Sequence, residues 1–185
     1  MADQSNFTVA ILATDGFEEQ ELTEPAKALG QAGAKVEIIS LHSGQIQAFR
    51  HHDKSITIPV DKTIETANPA DYDALMLPGG ALNADAMRAN PRVLQFIRAM
   101  DQAGKPVAAI CHAPWELASA GLVSGKTMTS YHTIQDDLRN AGARWVDQEV
   151  VVDGRLVTSR QPSDLPAFNR EMLRLFSLQP QAAMP

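Results

Sequence analysis

The sequence is short of most features that would narrow its function at once. One cysteine stands among 185 residues, so no disulfide can form within the chain. A lone thiol fits a reducing compartment, where it serves either packing or chemistry. No stretch reaches the ~20 apolar residues of a membrane span. The polar start Met1-Ala2-Asp3-Gln4-Ser5-Asn6 lacks a charged segment followed by an apolar run, which leads to the expectation of a cytoplasmic protein. Lysine and arginine never cluster and the formal net charge is −6, so neither a membrane nor nucleic acid is expected as a partner. Gly79-Gly80 lacks the spacing of the nucleotide-binding loops, His51 and His52 are adjacent rather than at ligand spacing, and one cysteine cannot build a structural zinc site. No metal and no cofactor is expected.

What is present is the composition of a folded domain. Apolar residues make up 44% and charged residues 21%, close to globular averages, and the length suits one domain over 1–185. Phe7–Ala13 is short, apolar and β-favouring, and it runs into the turn signal Thr14-Asp15-Gly16. Glu18–Ala32 has helical periodicity, with Pro25 expected to cap or kink it and Gly30 and Gly33 to end it. Strands are expected at Lys35–Ser40, Ser55–Val60, Ala74–Leu77, Pro106–Ile110 and Thr127–Ser130. Helices are expected at Arg92–Ala103, Ala113–Ala120 and Ile134–Ala141. A hairpin should turn at Asp153-Gly154. Ser163-Asp164 is placed to cap a last helix reaching about Phe176, with a mobile tail beyond it to Pro185.

This alternation predicts an α/β fold, a mainly parallel sheet covered by helices on both faces, with ligands outside the carboxyl ends of the strands. Three loops then share one rim: 14–21, 78–85 and 111–114. The last holds Cys111 and His112 at a strand-to-helix turn. Such a turn exposes the side chain, aims a helix N-terminus at the sulfur so that the thiolate is favoured, and supplies backbone N–H groups for an oxyanion. The bland alternative is a small buried hydrophobe. His112 reaches the sulfur only if the turn bends, since neighbours on a strand point to opposite faces. Gly79-Gly80 permits close backbone approach to a substrate or is simply a tight turn. Glu18, Glu19 and Glu21 crowd a helix start, where acids favour the dipole. Any one of them beside a thiolate would be held protonated and able to donate a hydrogen bond to sulfur.

The segments FTVAILATDGFEEQELTEP, YDALMLPGG, GKPVAAICHAPWELASAGLVSGK and VVVDG resemble the PfpI family of intracellular cysteine peptidases, within the DJ/PfpI superfamily of class I glutamine amidotransferase-like fold. The resemblance runs from about Phe7 to Phe176, the expected ordered core. It implies a flavodoxin-like sandwich and homodimers or larger homo-oligomers. It also implies Cys111 as nucleophile, His112 as its partner, Glu21 as the acid on the sulfur, and an oxyanion hole from the backbones of Gly80 and His112. The family's triad acid comes from a neighbouring subunit after the GG element, for which Asp85 is the nearest match. Glu18 matches a second acidic position, and Tyr131 and His132 fall in a segment bordering the site. The implied activity is that of a stress-response cysteine hydrolase acting on peptide, glycated or small carbonyl substrates, with peptidase or deglycase/glyoxalase-like chemistry. The rival reading is a redox sensor or protective protein whose Cys111 is oxidised to sulfenic or sulfinic acid.

Overall fold

A computed structural model describes residues 7–178; most of the tail expected to be mobile lies outside them. Chain order is β1 (Thr8–Leu12), β2 (Phe17–Glu18), α1 (Glu19–Gln31), β3 (Lys35–Ser40), β4 (Gln45–Arg50), β5 (Asp53–Pro59), β6 (Lys62–Thr63) and β7 (Ala74–Leu77). It continues with α2 (Ala81–Arg88), α3 (Pro91–Gln102), β8 (Val107–Ile110), α4 (Pro114–Ser119), β9 (Thr127–Met128), α5 (Gln135–Asn140), β10 (Arg144–Trp145), β11 (Val150–Asp153), β12 (Leu156–Ser159) and α6 (Leu165–Leu175).

Seven strands form one sheet in the order β11-β12-β8-β7-β1-β3-β6. Its pairs are parallel except the β11–β12 hairpin, as expected. The apolar strands are buried on both faces, and alternate residues feed two cores. Val9 and Ile11 pack with Leu29, Phe168 and Met172 on the face of α1 and α6. Ala10 and Leu12 pack with Phe96, Ile97 and Leu117 on the face of α3 and α4. Period-two side chains on a doubly covered sheet require this division.

After β1 the chain moves to β3 on one side, then returns to β7 on the other. The loops following β1 and β7 therefore diverge at a switch point, beside the end of β8, where such sheets open a crevice. A separate three-stranded sheet, β2-β4-β5, folds over this end. Its middle strand departs from the expectations because Gln45–Arg50 alternates weakly, and residues 81–85, expected to be loop, begin α2.

Several local expectations are corrected. Pro25 lies inside α1 and neither starts nor ends it; Gly30 is also helical, and Gly33, at φ +85°, follows the end. The strand expected at Thr127–Ser130, β9, stops at Met128. Asp164 makes no capping bond to α6. Its carboxylate instead takes two hydrogen bonds from Arg160, at 2.8 and 3.0 Å; the guanidinium outcompetes backbone N–H groups for the same oxygens.

Candidate active site

Cys111 follows β8 with φ +63°, a left-handed conformation that a non-glycine residue adopts at a cost and that turns its side chain away from the strand's line. Its backbone is tied on both sides: its N–H donates to the Ser159 carbonyl at 3.0 Å, and its carbonyl accepts from Tyr131 at 2.8 Å. The bend brings two adjacent side chains together. His112 Nδ1 lies 3.2 Å from Cys111 Sγ, the reach that a strand would have denied.

Glu21 comes from the first turn of α1 and is fully buried. Its polar neighbours are the Cys111 thiol and the Gly79 backbone. Glycine is required at 79, because a Cβ there would collide with both Glu21 Oε2 and Cys111 Cβ. At Gly80, φ is +92° and a Cβ would strike the Gly16 carbonyl and the Glu18 amide. Both glycines thus serve close approach rather than a turn alone. Burial, reinforced by the Glu18 charge, pushes the Glu21 carboxyl up to about 8, so it is protonated at neutral pH.

The expectation that the helix start lowers the thiol is corrected. Burial pushes Cys111 well above its ordinary value, and the Glu21 carboxylate adds to the rise, while the backbone N–H groups of Gly80 and His112 oppose it. α4 has only six residues, too weak a dipole to outweigh desolvation. At neutral pH Cys111 and Glu21 therefore each keep a proton, and ionisation of the sulfur is helped when Glu21 keeps its own and donates it in a hydrogen bond. Burial also pushes His112 down, as does the nearby His132, leaving a neutral imidazole able to accept.

The three first-loop acids, equivalent in the sequence, have different partners. Glu21 sits against the sulfur, Glu19 takes two bonds of 2.9 Å from Arg50, and Glu18 Oε2 accepts the His51 N–H at 3.0 Å. Asp85 is exposed on α2 and does not line the cleft around Cys111. Within the chain, His112 Nε2 meets the Thr133 hydroxyl at 3.5 Å. Tyr131 lines the cleft and stacks on His112, centroids 4.8 Å apart; His132 packs behind Tyr131 at 4.6 Å.

Sequence reasoning missed two components. Asn83 is buried on α2 and fastens two of the rim loops, accepting from Thr14 N–H at 2.8 Å and donating to the Pro78 and Gly79 carbonyls at 3.1 Å each. The tip of the β4–β5 hairpin brings Phe49, His51 and His52 to the cleft, a cavity of about 490 Å³ that also exposes Glu18, Cys111 and Tyr131. Among the described residues no cluster of three or more His, Cys, Asp or Glu could hold a metal.

The DJ-1/PfpI family model matches residues 7–175 of the chain. The chain belongs to the DJ-1/PfpI family. It is 47% identical to protein/nucleic acid deglycase 2 of Escherichia coli over 168 residues, 90% of this chain and 96% of the relative. It is 44% identical to general stress protein 18 of Bacillus subtilis, with the same shares covered. Among solved structures, Drosophila melanogaster DJ-1beta superposes with a TM-score of 0.83 at 32% identity, over 92% of this chain and 90% of that one. The family assignment agrees with the resemblance carried by the cysteine and glycine segments.

Proposed function

We propose that this DJ-1/PfpI family member is a single-domain, cofactor-independent cysteine hydrolase acting as a deglycase or peptidase in a stress response. The observation that carries the reading is the left-handed Cys111, with His112 Nδ1 3.2 Å from its sulfur. The names of the Escherichia coli and Bacillus subtilis relatives support the deglycase and stress parts of it.

In this mechanism, the thiol passes its proton to neutral His112 and attacks the substrate carbonyl carbon. A C–S bond forms and the carbonyl oxygen becomes an oxyanion, held by the Gly80 and His112 N–H groups. On a peptide bond the oxyanion then collapses, the C–N bond breaks as His112 gives its proton to the departing amine, and water hydrolyses the resulting thioester to the acid and the free thiol. Glu21, protonated, donates to the sulfur and steadies its negative charge when it leaves.

Homo-oligomerisation belongs to the same proposal, with exposed Asp85 offered to the His112 of a second copy. A cytoplasmic setting also belongs to it; among the described residues no helix is long and apolar enough to cross a membrane.

Parallel assays on a methylglyoxal-modified peptide and an unmodified peptide test the reading. Turnover of one or both by the native protein should fall on the order of a thousandfold or more in Cys111→Ala, the scale of losing a nucleophile. Equal turnover by the variant would remove the hydrolase proposal. Loss of cell protection without any turnover defect would favour the oxidation-based rival, in which protonated Glu21 donates to a sulfinate.

A further inference from the structure

Cys111 and His112 describe the bond that is made, but the cleft extends past them to a wall supplied by β2 and the β4–β5 hairpin. Among its described lining residues there is no lysine or arginine. Its side chains include the Glu18 carboxylate and the aromatic faces of Phe49 and Tyr131.

Glu18 is fixed at its root and along its side chain. Its backbone N–H donates to the Gly79 carbonyl at 3.3 Å, and Phe49 is its partner across the β2–β4 pair. His51 adopts φ +57° at the hairpin tip, and that left-handed turn directs its N–H to Glu18 Oε2 at 3.0 Å. Glu18 Oε1 makes no hydrogen bond among the described residues.

Arg50 is the cation nearest in sequence to this wall, and its guanidinium is spent on both oxygens of Glu19; it does not line the cleft. The hairpin therefore holds a carboxylate in place beside the oxyanion loop, while of its two cations Arg50 is paired with Glu19 and Lys54 on β5 does not line the cleft. An acid that shares a cleft with Phe49 and Tyr131, and with the imidazoles of His51 and His52, suits an ammonium or guanidinium group, which gains both charge pairing and cation–π contact.

We propose that Glu18, positioned by the His51 amide, selects substrates carrying a positive charge next to the reacting carbon, such as adducts on lysine- or arginine-type side chains or peptides with a basic residue there. The proposal deepens the hydrolase reading and rests on the same cleft. Glu18 acts as a specificity residue, separate from the Cys111–His112 pair that makes the bond.

The test uses Cys111, the single thiol of the chain, as reporter and needs no turnover. The intact protein is treated with methanethiosulfonate reagents bearing a trimethylammonium, a neutral methyl or a sulfonate group. The Cys111 thiolate attacks the thiosulfonate sulfur, forming a mixed disulfide and releasing methanesulfinate. Rates are divided by those of a small neutral thiol in solution. The cation-to-anion ratio cancels any change in thiolate fraction.

For the native protein that ratio should exceed unity by about tenfold at low salt and fall as salt is added. In Glu18→Gln it should fall toward one, and Glu18→Asp should restore part of it. A native ratio at or below one, or a ratio unchanged in Glu18→Gln, would overturn charge selection while leaving the hydrolase reading intact. The salt series on the native protein decides the matter if the variants fold poorly. A thiol closed to all three reagents would overturn the open cleft on which both readings stand.

Discussion

Two buried carboxyls, Glu21 on α1 and Glu37 on β3, occupy regions that drive them in opposite directions. Glu37 meets Lys35 at 2.7 Å, Lys62 at 3.0 Å and the Tyr72 hydroxyl at 2.7 Å. These partners, Lys35 first, hold it at about 2. Glu21 has no cation and lies against a thiol, and burial pushes it up to about 8. The first region is a satisfied ion cluster that fastens β3 to β6. The second keeps a proton available beside the sulfur, at the cost of leaving both carboxyl oxygens without a normal hydrogen bond. The difference separates a carboxyl that holds the sheet edge from one poised for chemistry.

Obstructing the Glu21–Cys111 contact should have the largest effect on stability. Gly79→Ala forces a methyl group between the two side chains and is expected to cost about 1–3 kcal/mol of unfolding free energy, as overpacking does, with a lowered denaturant midpoint as the readout. An unaffected midpoint would mean that the two groups are not held together.

Glu116 on α4 sharpens the comparison because it has neither cation nor thiol. It is fully buried, both oxygens lack a partner, and burial pushes it well above the ordinary carboxyl value. Glu116→Leu keeps roughly the volume and removes the orphaned polar atoms, so it should stabilise the fold by about 1–3 kcal/mol. A destabilised Leu variant would indicate that Glu116 has a function of its own.

The two carboxyls should also be separable in the pH dependence of melting. Glu21 is raised on folding, so its contribution is fully present below its unfolded value near 4.5 and is lost as pH rises toward about 8. Glu37 is lowered, so its contribution is present above 4.5 and is lost as pH falls toward about 2. Melting curves across pH should therefore show two limbs. Glu21→Gln should flatten the alkaline one and Glu37→Gln the acid one; crossing of these effects would contradict the assignment.

Local patterns made much of the site legible. The strand-to-helix step around Cys111 and the paired glycines after β7 carried the elbow and the close backbone approach, because both depend on residue types at a turn. Parallel topology then put their loops on one rim. Burial is not legible in the sequence, so a helix N-terminus beside Cys111 points to a lowered thiol where burial raises it. Nor are long-range partners: Asn83, which ties together loops distant in the chain, and the β4–β5 tip, whose register depends on pairing with the two-residue β2. Among Glu18, Glu19 and Glu21 local pattern left the choice open, while the family resemblance implied Glu21, the one that lies against the sulfur.

The central claim is that Glu21 controls ionisation of a nucleophilic Cys111. It is tested most directly by the rate of iodoacetamide alkylation of Cys111 against pH in the native protein and in Glu21→Gln. With the carboxylate gone, its repulsion is removed and only sulfur can take up the negative charge, so the inflection should move to lower pH in the variant. Superimposable profiles, or a thiol that does not react across the folded range, would contradict the account.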